Sequence, residues 1–374
     1  MLEISVARIF SVMFDYHYVF LLISLAILGL GTGGIYVHTR FEKTPPHSHQ
    51  NILPAASGLM ALSTIVATLS IIKIPALHHP LLAALLTFFP FFFAGIFLSA
   101  AFRLFAGKSA QIYASDLIGA SLGAILVVVF LRFGGINANL FVAFLGSLPM
   151  VLLTYRGGLK KSRKAILLAL APGLFSIFLG NTFIGFLGEV PLGRGRQKEM
   201  VHMLSHPIGM ARVIDSRWSA FGRTDLIADE TNPDEMAFFV DGTAGTMMYR
   251  FDGDLKSLEG QKFTGFSQYF PFELLPEKEK EKVLIIGSGG GGEVLISLLA
   301  GAKEITAVEV NKDLVDLMKK YSDFNGRIYN GFPGVKVVVE EGRNFIRRTK
   351  ERYDVIMLVI PVTKTSRSPE GFAL

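Results

Sequence analysis

From about residue 17 to residue 187 the chain alternates long apolar stretches with short polar connections. Six stretches, about 17–37, 52–72, 81–102, 111–131, 137–155 and 165–187, reach the roughly 20 mostly apolar residues that cross about 30 Å of hydrocarbon. The pattern then changes twice. Between Met210 and Phe251 short apolar runs alternate with turn residues: Ala211–Asp215, Arg223–Ala228, Met236–Val240 and Thr246–Arg250, with Asp241-Gly242 as a turn signal before the last. That spacing predicts a small β-rich unit. From Lys282 onward, buried-type strands alternate with helical segments: strand 282–286, helix 293–300, strand 304–309, helix 312–321, strand 335–339, a helix around 344–349 and strand 353–360. A βαβαβαβ series implies a parallel sheet. The expected domains are a transmembrane bundle over 1–187, a polar linker over 188–209, a small β unit over 210–275 and an α/β domain over 276–374.

Composition supports this division. The 374 residues are 51% hydrophobic and 18% charged, with a net charge of +6. Residues 1–187 hold 12 Lys/Arg and 4 Asp/Glu, a net of +8, whereas residues 188–374 hold 25 and 27, a net of −2. The positive charge therefore flanks apolar segments, as membrane topology requires, and argues against a nucleic-acid partner. With no Cys in the chain, disulfides, thiolate zinc sites, iron–sulfur ligation and cysteine nucleophiles are excluded. Met1–Tyr18 contains Glu3, Arg8 and Asp15 and lacks the charged-then-apolar order of a signal peptide.

The connecting charges set up a conflict over sidedness. Loops holding Arg40, Lys43, Arg103, Lys108, Arg156, Lys160, Lys161, Arg163 and Lys164 share one side; Lys73 and Arg132 lie on the other. The positive-inside rule places the first group in the cytoplasm, and an even number of spans then leaves the C-terminal half outside. A nucleotide-using domain on a protein of the inner cell membrane is expected in the cytoplasm.

Within the spans, Gly29-Leu-Gly31-Thr-Gly33-Gly34 is a formal G-x-G-x-x-G match with no strand before it, so it reads as a small-residue packing face. Asp116 is the acid inside a span, in Tyr113-Ala-Ser-Asp116-Leu-Ile-Gly119-Ala-Ser-Leu-Gly123. It reads either as a functional or paired group or as an interfacial carboxylate near the span's start. His47, His49, His78 and His79 lie in loops without a carboxylate cluster. They read as solvated histidines, and no metal site is expected.

The chemistry concentrates after residue 282. Strand 282–286 runs into Gly287-Ser-Gly289-Gly-Gly291-Gly292 and then a helix. Strand, glycine loop and helix together let backbone amides and a helix N-terminus approach a ligand closely. Glu309 ends the next strand, where a carboxylate can accept both ribose hydroxyls of a nucleoside. Glu341-Gly342 follows the third strand, near where an adenine would lie. Gly287, Gly289, Gly291, Gly292, Glu309 and Glu341 are thus the candidate nucleoside-binding residues. The alternative is a glycine loop kept for tight packing alone.

These residues resemble the spermidine synthase family, which shares its Rossmann-like fold with S-adenosylmethionine-dependent methyltransferases. The likeness covers about Met210–Leu374: the β unit, the glycine loop, Glu309, Glu341-Gly342 and Tyr353-Asp354-Val-Ile. Tyr113–Gly123, Trp218-Ser-Ala-Phe-Gly-Arg223 and Gly301–Asn311 also look like multi-pass membrane proteins that carry such a domain. The resemblance implies Glu309 as ribose ligand, and S-adenosylmethionine or its decarboxylated form as cofactor. It also implies an Asp where Gly290 stands and a base after the fourth strand, yet Val355–Pro369 holds no carboxylate. Glu293, or a residue from elsewhere, would have to compensate. A full fold of this kind needs strands beyond the fourth, so a fragment or short form is expected.

Two functions follow from the resemblance. One is a membrane-anchored transferase of aminopropyl or methyl groups that works on polyamine chemistry. The other is a non-catalytic nucleotide-sensing or transport-associated membrane protein. An NAD-type oxidoreductase is a third reading of the glycine loop alone. The expected partners are the lipid bilayer, a nucleoside ligand and a second copy of the chain.

Overall fold

A computed structural model describes residues 1–15, 17–43, 51–156, 161–192, 198–206, 209–258 and 262–359. His47, His49, Lys160, the Gly193–Gln197 part of the linker and everything after Val359 lie outside the described residues. The chain divides into two compact units. One comprises Met1–Gly195 with Trp218–Gly222, the other Arg196–Arg217 with Arg223–Leu374.

The first unit is helical: α1 (Leu2–Met13), α2 (His17–Lys43), α3 (Ile52–Lys73), α4 (Pro80–Leu104), α5 (Ser109–Leu131), α6 (Gly135–Arg156) and α7 (Lys161–Ile184). Among the described residues five helices are long and apolar enough to cross a membrane: Tyr18–Lys43, Ile52–Lys73, Pro80–Leu104, Ala106–Leu131 and Gly135–Thr154. The expected sixth stretch does form a helix, α7. It opens on Lys161, Arg163 and Lys164, and its described apolar part is the shorter Leu170–Ile184. The five helices fit a membrane-anchored protein.

The pattern gave no sign of α1, because Glu3 and Arg8 interrupt its apolar residues. It is amphipathic, burying Ser5, Val6, Ile9, Phe10, Val12 and Met13 on one face, the spacing of a helix stripe. Small residues bring α2 against α4. A Cβ on Gly29 would lie 2.9 Å from the Phe88 carbonyl oxygen, and one on Gly33 would lie 2.7 Å from the Ile96 amide nitrogen. Gly31 faces open space. The glycine run of α2 is a packing face, and its pattern is Gly29-x-x-x-Gly33.

Several buried polar groups in this unit are satisfied pairwise. Asn139 donates to Thr68 Oγ1 at 2.9 Å and is bonded to Ser5, while Asn181 donates to Asn137 Oδ1 at 2.6 Å and accepts from the Leu187 amide. Asp116 is exposed on α5, with no ion pair among the described residues. Pro90, Pro149 and Pro172 sit inside α4, α6 and α7. A bundle accepts this because neighbouring groups re-satisfy the freed backbone.

The second unit begins in the expected linker with a short helix, α8 (Glu199–Leu204). An antiparallel sheet follows in the order β1 (Ala211–Trp218), β2 (Arg223–Asp229), β3 (Glu235–Val240), β4 (Thr243–Tyr249). Asp241 and Gly242 both have positive φ, at 50° and 76°, which is what a two-residue hairpin turn between right-twisted strands needs. At the start of β2, Arg223 Nε donates to Asp225 Oδ1 at 2.9 Å, and both side chains are buried.

After α9 (Phe270–Leu274) comes the α/β domain: β5 (Lys282–Ile286), α10 (Gly292–Leu299), β6 (Glu304–Glu309), α11 (Lys312–Lys320), β7 (Val335–Val339), α12 (Gly342–Arg348) and β8 (Val355–Leu358). Its strands are parallel and ordered β7-β6-β5-β8. The strand order reverses between β5 and β8. In open α/β sheets such a reversal leaves a crevice at the carboxyl ends of the strands. One core joins both sheets: Leu226, Phe238 and Met248 of the small sheet cluster with Val283, Ile285, Leu295, Ala307 and Met318.

Candidate functional site

The apolar strand β5 ends at the reversal point, and the glycine loop begins there. Gly287, Gly289 and Gly291 take φ of 81°, 46° and 86°, a region that side chains rarely adopt. Each glycine also makes room. A Cβ on Gly287 would run into the Val359 carbonyl, and one on Gly291 would lie 2.5 Å from the Ile328 side chain. Gly291 caps α10, and a Cβ on Gly292 would lie 3.2 Å from the Tyr249 ring.

Glu309 ends β6 and reaches this loop. It is 7% exposed. Its Oε2 accepts from the Gly289 amide and its Oε1 from the Asn311 amide, both at 2.9 Å. Asn311 in turn caps α11 and donates to Thr224 Oγ1 of β2 at 2.9 Å. The structure therefore brings together Gly287, Gly289, Gly291, Gly292 and Glu309. Glu341 stands apart in role. It is exposed and caps α12, its two oxygens accepting from the Arg343 and Asn344 amides at 3.1 and 3.0 Å. Those amides hold its carboxyl below the ordinary carboxylate range. Asp354 lies at the other end of the sheet, where it accepts from the Lys282 amide.

Four neighbours of the loop carry no signal in the pattern. Thr246 Oγ1 accepts from the Gly290 amide at 3.1 Å, and Met248 bridges to Gly291. β4 thus lies on one side of the loop. The Tyr329 hydroxyl hydrogen-bonds with Ser288 Oγ at 2.6 Å and with the Gly289 carbonyl at 2.9 Å. Burial pushes this phenol far above its ordinary pKa, and the charges of Glu309 and Glu293 push the same way. Tyr249, partly buried, is raised by burial and then by the charge of Glu293. The only hint of Tyr329 in the sequence is its place in the turn-rich stretch 322–334.

Chemically, the loop offers a narrow backbone surface with a buried carboxylate at its edge. Among the described residues no cluster of His, Asp and Glu suited to a metal is present.

Residues 270–371 match the family model described as the spermine/spermidine synthase domain. The polyamine aminopropyltransferase of Serratia proteamaculans is 30% identical over 134 residues, covering 35% of this chain and 46% of the relative. That of Sodalis glossinidius is 29% identical over 133 residues, covering 35% and 46%. The chain spans about half the length of these curated relatives. Among solved structures, spermidine synthase from Thermotoga maritima matches at 24% identity and a TM-score of 0.30, covering 39% of this chain and 47% of that one. A spermidine synthase in complex with the transition-state analogue AdoDATO matches at 23% identity and a TM-score of 0.28, over 39% and 47%. The C-terminal part of the chain therefore carries a spermidine synthase domain, over residues 270–371, behind a helical region with five apolar helices.

Proposed function

We propose that this chain is a membrane-anchored protein of the aminopropyltransferase kind that binds decarboxylated S-adenosylmethionine, or S-adenosylmethionine itself, at the glycine loop. The observation that carries the reading is Glu309: a strand-end carboxylate buried against Gly289 at the reversal point of the sheet. An ionised carboxylate has about four acceptor positions, and two backbone amides occupy two of them here. The remaining acceptors suit a ribose diol. Gly287, Gly289, Gly291 and Gly292 would leave space for the nucleoside, Glu309 would hold the ribose, and Glu341 would stand on the adenine side.

When bound, the decarboxylated form supplies an aminopropyl carbon on a sulfonium: a C–N bond to the acceptor amine forms as the C–S bond breaks, leaving methylthioadenosine and one proton. A diamine fits the acceptor class of the matched relatives. The test is to incubate the detergent-solubilised full-length protein with decarboxylated S-adenosylmethionine and a diamine. Release of methylthioadenosine, abolished by Glu309→Ala, supports the reading. No release speaks for the second reading, a nucleotide-sensing membrane protein. What favours that second reading is β4, which already occupies the Gly290 amide through Thr246.

A further inference from the structure

The turn-rich stretch between α11 and β7 delivers one side chain to the glycine loop, Tyr329. Asn325, fully buried, anchors that stretch by donating from its side-chain amide to the Met318 carbonyl of α11 at 2.8 Å. The Phe251 amide holds it from the other side, donating to the Phe324 carbonyl at 2.9 Å. Tyr329 is buried as a result, and a Cβ on Gly291 would lie 3.6 Å from its ring. Its hydroxyl meets two loop groups at once, Ser288 Oγ at 2.6 Å and the Gly289 carbonyl at 2.9 Å.

Valence fixes the direction of both bonds. A carbonyl oxygen only accepts, so the single phenol proton goes to Gly289, and Tyr329 Oη accepts the Ser288 hydroxyl proton. Burial holds the phenol far above its ordinary pKa, so that proton stays in place. The Gly289 carbonyl and the Gly290 amide belong to one peptide plane. Tyr329 holds its carbonyl side, and Thr246 Oγ1 holds its amide side at 3.1 Å. The Gly289 amide, on the preceding peptide, donates to Glu309 Oε2. Glycines rotate freely, so a loop of this composition is held in one shape only by groups outside it. We propose that Tyr329 is the positioning residue of this site: it fixes the Gly289–Gly290 peptide, and with it the amide that aligns Glu309, before a ligand arrives. This rests on the nucleoside reading of the glycine loop. Tyr329 touches no ligand and acts through Gly289, sparing the site the loss of freedom that ordering the loop on binding would cost.

Hydrogen exchange and calorimetry with methylthioadenosine, both on the full-length protein in detergent, test it. In the ligand-free wild type the Gly289 and Gly290 amides are expected to exchange slowly. Fast exchange there, slowed only by methylthioadenosine, would overturn the inference, because the ligand would then order the loop. Tyr329→Phe keeps the ring and removes the proton. It is expected to speed exchange of those two amides, to leave the β5 and β6 amides unchanged, and to weaken methylthioadenosine about tenfold, the scale of a buried hydrogen bond. Ser288→Ala leaves the phenol proton on Gly289 and is expected to bind within about threefold of the wild type. A merely structural tyrosine would speed exchange in β5 and β6 and lower the melting temperature, with affinity unchanged well below it. If Tyr329→Phe binds as the wild type does, or Ser288→Ala weakens binding as much as Tyr329→Phe, the inference is overturned while the nucleoside site stands. If the wild type binds no methylthioadenosine, the nucleoside reading falls, and this inference with it.

Discussion

Gly290 packs against the backbone of Met247 so closely that a Cβ there would lie 2.5 Å from the Met247 carbonyl carbon and 2.9 Å from the Met248 nitrogen. The strand β4 and the glycine loop are therefore one packed element. The family resemblance places an Asp at this position, and the backbone of β4 excludes it.

Gly290→Ala and Gly290→Asp are accordingly expected to lower stability, by about 1–3 kcal/mol for the overpacking alone. Thermal unfolding of the purified protein measures it. Gly290→Asp is not expected to improve nucleoside binding. Unchanged stability in Gly290→Ala would mean that β4 does not lie on the loop.

The contact of α2 with α4 makes a parallel case. Gly33→Ala would drive a methyl group into the α4 backbone near Phe92 and Ile96, at a cost of about 1–3 kcal/mol. Gly31→Ala, two residues away and facing open space, should change little. The pair is read by unfolding in detergent, and equal effects would contradict the packing.

Arg223 and Asp225 form a buried ion pair whose side chains are 5% and 0% exposed. Arg223→Ala leaves Asp225 in the core without this guanidinium, a loss of about 3–5 kcal/mol. Changing both to apolar residues of similar size should cost much less. A denaturant midpoint series on the two single variants and the double variant decides it.

Glu341 couples α12 to pH. Its folded pKa is depressed by the Arg343 and Asn344 amides below the ordinary 4.5. A depressed carboxylate adds stability above its unfolded pKa and loses it as pH falls through the folded value. The wild type should therefore lose the α12 cap on acidification below the unfolded pKa. Glu341→Gln should be less stable at neutral pH, with the difference closing in acid. Hydrogen exchange of the Arg343 and Asn344 amides follows this directly.

How far the sequence carried these conclusions varied with the element. The α/β series was legible because each strand is a short apolar run ended by a residue with a definite local role. Gly287 opens the loop after β5, and Asn311 caps α11 after β6. The small sheet was legible in its strands and in the Asp241-Gly242 turn. Helix α1 was not, since it buries a stripe and not a continuous run, and Glu3 and Arg8 break the apolar pattern. The sixth apolar stretch was legible as a helix, and it forms most of α7. Around the site, Glu309 was legible from its place at a strand end. Thr246 and Tyr329 were not, because they reach the loop from positions 44 and 40 residues away in the chain, through packing that no local pattern records. The use of Glu341 as a helix cap was hidden for a different reason. An acid-Gly step after a strand looks the same whether the acid faces a ligand or the next helix.

The central claim is that the glycine loop and Glu309 form a nucleoside site. Isothermal calorimetry of the full-length protein with methylthioadenosine, alongside Glu309→Ala, tests it most directly. Saturable one-to-one binding by the wild type, lost in Glu309→Ala, is the expected result. Absence of binding, or binding that Glu309→Ala leaves intact, would contradict it.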